Sequence, residues 1–252
     1  MALARDLGTG EGVRQAAIAS PCVNVCRLTP DNLCAGCGRT VSEIRNWRHL
    51  GWAQRLTVLG RVVVRRMETG MDILPRDILG FWFSAEARSK WYAKDDSFDR
   101  EIRTRFETAW SQAMAGDFAA WEESADGALA LVILLDQFPR NMFRGTPKAF
   151  ASDPLALAAT HRALDKGFDT LFEPVRRLFL YLPLEHDEDL ASQRRCVALL
   201  EANGDDPQGL DYARRHLAIV ERFGRFPHRN AILGRVSTPE ELAFLEEPNS
   251  SF

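Results

Sequence analysis

The sequence predicts an all-α protein in two parts, a small four-cysteine metal-binding-like helical module and a larger multi-helix domain. Three observations carry this. Apolar residues make up 46% and charged residues 27% of the 252-residue chain, the balance of a protein that buries an ordinary core. Helix start and stop signals recur along the chain, and no strand–turn–strand pattern accompanies them. Four of the five cysteines fall between positions 22 and 37, in a stretch with little apolar material of its own.

The opening residues, 1–19, are Gly-rich, aperiodic and charged throughout, so they read as a flexible tail. They hold no apolar run of the kind a secretory leader needs, and a cytoplasmic address is expected. Thiols stay reduced there, which points the clustered cysteines toward metal rather than disulfides.

Residues 20–67 form the module. Cys22, Cys26, Cys34 and Cys37 are spaced C-x3-C-x7-C-x2-C, two ligand pairs joined by a short loop. Four such thiolates can surround one tetrahedral zinc ion or hold an iron–sulfur cluster, and zinc is the expected cofactor. Gly36 and Gly38 would let backbone amides approach the sulfurs. So small a unit has little core, and metal binding would supply much of its folding free energy. Thr40-Val-Ser-Glu43 then reads as a capping box opening a helix. Residues 68–73, with Gly70, read as a linker.

From 74 to 248 the signals are those of consecutive helices, about seven to nine packed in antiparallel pairs. Asp96 or Ser97 can cap a helix in which Ile102, Phe106, Ala109 and Ala113 recur at helical spacing. Ala128 to Leu135 is rich in Ala and Leu without flanking turn residues, which favours a buried helix over a strand. Ser152-Asp153-Pro154 starts another helix, and Gly167 is placed to end it. Ser237-Thr238-Pro239-Glu240-Glu241 repeats the start signature. Trp82, Trp91, Trp110, Trp121 and Cys196 are assigned to the core.

The net charge of −3 is unevenly spread. Residues 1–70 hold ten arginines against five acids, and the remainder holds 22 basic against 30 acidic residues. Arg45, Arg48, Arg55, Arg61, Arg65 and Arg66 could meet nucleic acid. No aromatic-interleaved basic motif accompanies them, so nucleic acid is not the expected partner. The most apolar stretch, Leu56 to Val64, is broken by Gly60 and Arg61 and is too short to span a bilayer.

Three segments mix apolar helix with dense polarity: residues 135–145, 181–189 and 216–235. Phe138-Pro139 and Phe226-Pro227 should each close a helix, leaving the following Arg and Asn in a loop. Asp136 and Arg140 are spaced to pair along one face. Tyr212, His216, Ile219 and Phe223 share a face, which turns His216 toward the apolar side. A polar pocket follows, in which Arg140, Arg144, Arg222, Arg225 and Arg229 could bind a phosphate or carboxylate. His186, His216 and His228 are candidate proton carriers, with Glu188 and Glu221 as carboxylate partners. Asn141 and Asn230 complete the candidate ligand-binding set. The competing reading is a buried salt-bridge and capping network holding helices in register. No nucleophile elbow, Gly-rich phosphate loop or H-E-x-x-H is present.

Two resemblances attach to these motifs. SPCVNVCRLTPDNLCAGCGRTVSEIRNW, over about residues 20–66, resembles the bacterial domain-of-unknown-function family 1289, including the Gly-Cys-Gly-Arg-Thr turn and Trp47. The segments ILGFWFSAEARSKWYAKDDSFDREIRTRF, LALVILLDQFPRNMFRGTPKAFASD and ERFGRFPHRNAILGRVSTPEELAFL resemble family 924, over about residues 73–247. That second resemblance implies a tetratricopeptide-like helical fold and no agreed activity. Family members usually carry Met and Ser where this chain has Glu185 and Asp187. The expected function is a helical scaffold binding a protein, a peptide or a small anionic ligand, with a four-cysteine metal site. The alternatives are a metal-independent hydrolase using the His/Arg cluster and a nucleic-acid-binding accessory protein.

Overall fold

In the computed structural model the chain is all-α. Among the described residues the only extended pairings are two isolated bridges, Leu28 with Cys34 and Leu33 with Thr40. The structure describes residues 18–22, 28–29, 31–34, 36–69, 73–248 and 250, with backbone alone at 63 and 66–69. The expected tail up to residue 17, Cys26, the Arg66 side chain and Gly70 to Asp72 of the expected linker lie outside the described residues. Among the described residues no helix is long and apolar enough to cross a membrane.

The chain divides into two units, the described residues up to 69 forming the first and those from 73 the second. In the first, the capping box starts α1 (Val41–Asn46): Thr40 Oγ1 accepts from the Glu43 amide at 3.2 Å, and Glu43 accepts from the Thr40 amide at 3.0 Å. α2 (Trp52–Thr69) follows a single tight turn at Trp47–His49. It runs two residues into the segment read as linker, because Glu68 and Thr69 are residues that a helix accommodates. Trp47, Val58 and Val62 form this unit's small core.

The second unit contains α3 (Pro75–Trp82), α4 (Ala85–Arg88), α5 (Asp96–Met114), α6 (Ala125–Met142), α7 (Asp153–Asp165), α8 (Pro174–His186), α9 (Leu190–Asn203), α10 (Pro207–Phe223) and α11 (Pro239–Leu245). Residues 128–135 are buried all round, as their composition predicts, because α6 is the central element, packed against α3, α5, α7 and α8. Trp82, Phe98, Phe106, Phe138 and Phe179 interlock around it. Trp82, Trp110, Trp121 and Cys196 are buried there, and Trp91 is half-buried against Phe179. Gly167 ends α7 at φ 68°, the left-handed conformation that glycine adopts without strain.

Three local expectations are corrected. α5 is capped by Asp95, which accepts from the Ser97 and Phe98 amides, and not by Asp96 or Ser97. Ser152 does not cap α7; its hydroxyl donates to the Leu135 carbonyl at 2.5 Å and accepts from Trp110 Nε1 at 2.9 Å. α6 does not stop before Pro139 but continues to Met142, so Arg140 and Asn141 are helical. The last two are one event. Pro139 has no N–H to give the carbonyl four residues back, and that carbonyl belongs to Leu135, where Ser152 supplies the missing donor. α8 likewise runs through Pro183, whereas Phe226-Pro227 does lie beyond the end of α10.

Candidate functional site

The C-terminal halves of α6, α8 and α10 and the turn after α10 bring together Asp136, Arg140, His186, His216, His228 and Arg229, from sequence separations of up to 93 positions between Asp136 and Arg229. Asp136 is fully buried and accepts from His186 Nδ1 at 2.8 and 3.0 Å through its two oxygens. Gln137 Nε2 donates to the same carboxylate at 2.5 Å, and Arg140 lies 3.4 Å from it. Burial would push this carboxyl up, but the Arg140 charge and His186 outweigh burial and hold it well below the usual range. The carboxylate therefore fixes the proton of neutral His186 on Nδ1 and leaves Nε2 as an acceptor. Burial, aided by the Arg140 charge, holds His186 below its ordinary pKa against the pull of Asp136. The His186 side chain keeps 16% exposure where Asp136 keeps 1%, so the pair opens outward only through the imidazole.

Arg140 is neutralised twice, by Asp136 and by a two-pronged bond to Asp153 at 2.9 and 3.1 Å. Arg229 is different. It is 7% exposed, reaches Asp153 only at 3.7 Å, and its Nε is buried without a hydrogen-bond acceptor. Burial, with the nearby Arg140 charge, lowers its pKa to about 10. Its guanidinium lies over the Phe150 and Phe226 rings, at 4.9 and 4.7 Å. His216 and His228 lie within electrostatic reach of it. Burial lowers His216 to about 3 and, with the Arg229 charge, His228 to about 4. Both rings are therefore neutral near pH 7.

Glu185 is the buried acid that sequence reasoning leaves out of the site. It is 4% exposed, 3.3 Å from His216 Nδ1, with Oε2 buried and lacking a partner. Burial, then the Asp136 and Asp206 charges, raise it to about 8. Folding thus keeps a proton on Glu185 that the unfolded chain releases above about 4.5, so this residue subtracts stability progressively from pH 4.5 to about 8. Glu185→Gln should stand increasingly above the parent in Tm as pH rises through that window. Parallel Tm–pH curves for the two proteins would refute the assignment.

The rest of the predicted set is dispersed. Asn141 of α6 and Arg144, two residues beyond its end, both bond Asp99 of α5, at 2.8 Å and at 2.7 and 2.9 Å. Arg225 and Asn230 hold Glu241 of α11, and Arg222 pairs with Glu240. Glu221 pairs with Arg194 on the exposed side of α10. Glu188 accepts from the Phe226 amide at 2.8 Å and from Arg235 at 2.6 and 2.9 Å, so it pins the turn carrying His228 and Arg229. For these residues the network reading describes the contacts made. The site also recruits Asp153, read from sequence as part of a helix start, and Arg235; neither stands out locally.

In the cysteine module, Cys34 and Cys37 are buried and Cys22 is exposed. Burial, with Cys37 alongside, raises the Cys34 thiol. Among the described residues no group of three or more Cys, His, Asp or Glu side chains is gathered in a metal-holding arrangement; Cys26 lies outside them. One observation fits an anionic thiolate set here. Arg39 is 1% exposed and donates to Cys37 Sγ at 3.3 Å, while its Nη1 is buried without an acceptor.

Comparison with known proteins follows the two units. Residues 78–249 match the family model described as "Bacterial protein of unknown function (DUF924)", and residues 20–66 match "Protein of unknown function (DUF1289)". A solved structure of a protein of unknown function from Agrobacterium tumefaciens is 45% identical, with a TM-score of 0.65, over 68% of this chain and 96% of that one. No curated protein matches the sequence.

Proposed function

The chain belongs to the family of bacterial proteins of unknown function designated DUF924, joined to a DUF1289 segment, and from that premise we propose that its helical domain binds a small anionic ligand, a carboxylate or a phosphate, at Arg229. The carrying observation is the buried, under-compensated Arg229 guanidinium beside neutral His186 and His228. A buried cation whose nearest carboxylate is already held by Arg140 gains from an incoming anion, and a guanidinium suits planar or tetrahedral oxyanions. Consecutive helices pack against one another from α5 through α10, which supports a tetratricopeptide-like scaffold, and a peptide's carboxylate is one form of this ligand. The four-cysteine module serves as a zinc-held stability element rather than an iron–sulfur centre, in a cytoplasmic, reducing setting. Nucleic acid is not proposed: Arg65 is taken by Glu43 and Arg55 by the Ile18 carbonyl and the Trp47 ring.

The test is a thermal shift with inorganic phosphate and with succinate. A ligand that binds only the folded state should raise Tm with concentration, and Arg229→Met should abolish the rise. An Arg229→Met protein that responds like the parent overturns the reading.

A second reading, metal-independent hydrolysis, is favoured by one observation, the Asp136–His186 pair. A buried carboxylate that fixes the imidazole tautomer and leaves Nε2 as an acceptor is the orienter–base arrangement of general-base catalysis. In this reading His186 Nε2 takes a proton from water as its oxygen attacks a bound ester, and Arg229 stabilises the developing negative charge.

A further inference from the structure

We propose that His186 Nε2 makes the Arg229 site selective for anions that bring their own hydroxyl, so that an α-hydroxycarboxylate or a hydrogen phosphate is preferred over its hydroxyl-free counterpart. The selection rests on the reading of Arg229 as the anion-binding group and goes beyond it by naming the class of anion.

Two groups of the cluster have hydrogen-bonding capacity that the fold does not use, and they are of opposite kinds. Arg229 Nε is a donor, buried and without an acceptor. His186 Nε2 is an acceptor, because Nδ1 lies 2.8 and 3.0 Å from the two oxygens of Asp136, whose charge keeps the ring proton there. Nε2 makes no hydrogen bond among the described residues and, unlike Arg229 Nε, is not sealed from solvent. The two residues belong to one chain of contacts. Arg229 is 3.7 Å from Asp153, Asp153 is bound by Arg140 at 2.9 Å, and Arg140 lies 3.4 Å from the Asp136 carboxylate that holds His186. Burial and the Arg140 charge, with a smaller contribution from Arg229, hold the imidazole neutral against the pull of Asp136.

The carboxylates around the site are committed, Asp136 and Asp153 to Arg140 and Glu188 to Arg235 at 2.6 and 2.9 Å. The unused donor of Arg229 therefore takes an anionic oxygen from outside the protein, and the unused acceptor of His186 takes a proton donor. Sulfate and a plain carboxylate offer lone pairs alone, and would set an acceptor against Nε2. Hydrogen phosphate and an α-hydroxycarboxylate carry an O–H beside their charged oxygens and satisfy both groups. A site that hydrogen-bonds a ligand hydroxyl rejects the analogue lacking it, because the site's own polar group is then left unpaired.

The experiment compares matched anions by thermal shift on the full chain, near neutral pH and at constant ionic strength: malate against succinate, and phosphate against sulfate. General salt stabilisation acts on every variant, so each shift is read as the excess over Arg229→Met. Malate and phosphate should reach a given excess at about 10-fold lower concentration than succinate and sulfate. His186→Phe, which has no ring nitrogen, should bring the two members of each pair to parity. Asp136→Asn removes the charge that keeps the proton on Nδ1, so it should narrow the gap, with the His186 ring-nitrogen NMR shifts moving toward the Nε2–H tautomer. Equal concentrations within both pairs for the parent chain overturn the role of His186 while leaving the Arg229 site standing, and so does a preference that survives in His186→Phe. The parent comparison decides the matter even should His186→Phe fail to fold. No excess for any of the four anions removes the Arg229 reading itself, and the selection with it.

Discussion

Replacing Asp136 by alanine should destabilise the helical domain by about 3–5 kcal/mol, the usual cost of deleting one partner of a buried charge network. The carboxylate is fully buried, bonds both His186 and Gln137, and balances part of the Arg140 charge. Its loss strands the His186 Nδ1–H in a dry site, itself worth about 1–3 kcal/mol, while Arg140 keeps Asp153. Asp136→Asn, which preserves volume and one acceptor, should cost less. Yet it removes the charge that fixes the imidazole tautomer, so any ester turnover should fall with it by orders of magnitude. Urea unfolding followed by far-UV circular dichroism measures the first effect, and assay of an activated ester measures the second. An Asp136→Ala protein within about 1 kcal/mol of the parent would show that the carboxylate is not the organising charge of the site.

Arg229→Met should behave in the opposite way, with stability equal to the parent or higher by up to about 1–4 kcal/mol. Arg229 holds its carboxylate at 3.7 Å, leaves its Nε unsatisfied and has a pKa lowered to about 10 by burial and Arg140. Methionine keeps the contacts with Phe150 and Phe226 without a charge to desolvate, and Asp153 stays neutralised by Arg140. A gain in stability paired with loss of the phosphate-induced Tm shift is the signature of a residue kept for binding. A loss of more than about 3 kcal/mol would instead make Arg229 one more strut, and the anion site would lose its basis.

These two residues mark where sequence reading stops. Asp136 and Arg140 are legible as a pair because their i,i+4 spacing places them on one helix face. Arg229 is legible as a candidate but not as an exception, since nothing local separates it from Arg140, Arg144, Arg222 and Arg225. Each of those four meets a carboxylate at 3.0 Å or closer, and those carboxylates come from positions 13 to 45 residues away. Glu185 is visible in the sequence as an acid beside His186, but its raised pKa depends on burial and on Asp136 and Asp206.

Whatever depends on neighbours a few positions apart can be read directly from the chain. The all-α class, the capping boxes at Thr40 and Thr238, the glycine stop at Gly167 and the buried helix at 128–135 are of this kind. Backbone hydrogen bonding and side-chain periodicity act over one or two turns, so their causes lie within a short window of residues. Which cation lacks a partner, and whether a proline ends a helix, are settled by packing alone. Pro139 is tolerated because Ser152, 17 residues beyond Leu135, bonds the carbonyl that proline frees. Compensation of a buried charge or a freed carbonyl is supplied through space, by whichever group the fold brings within about 3 Å.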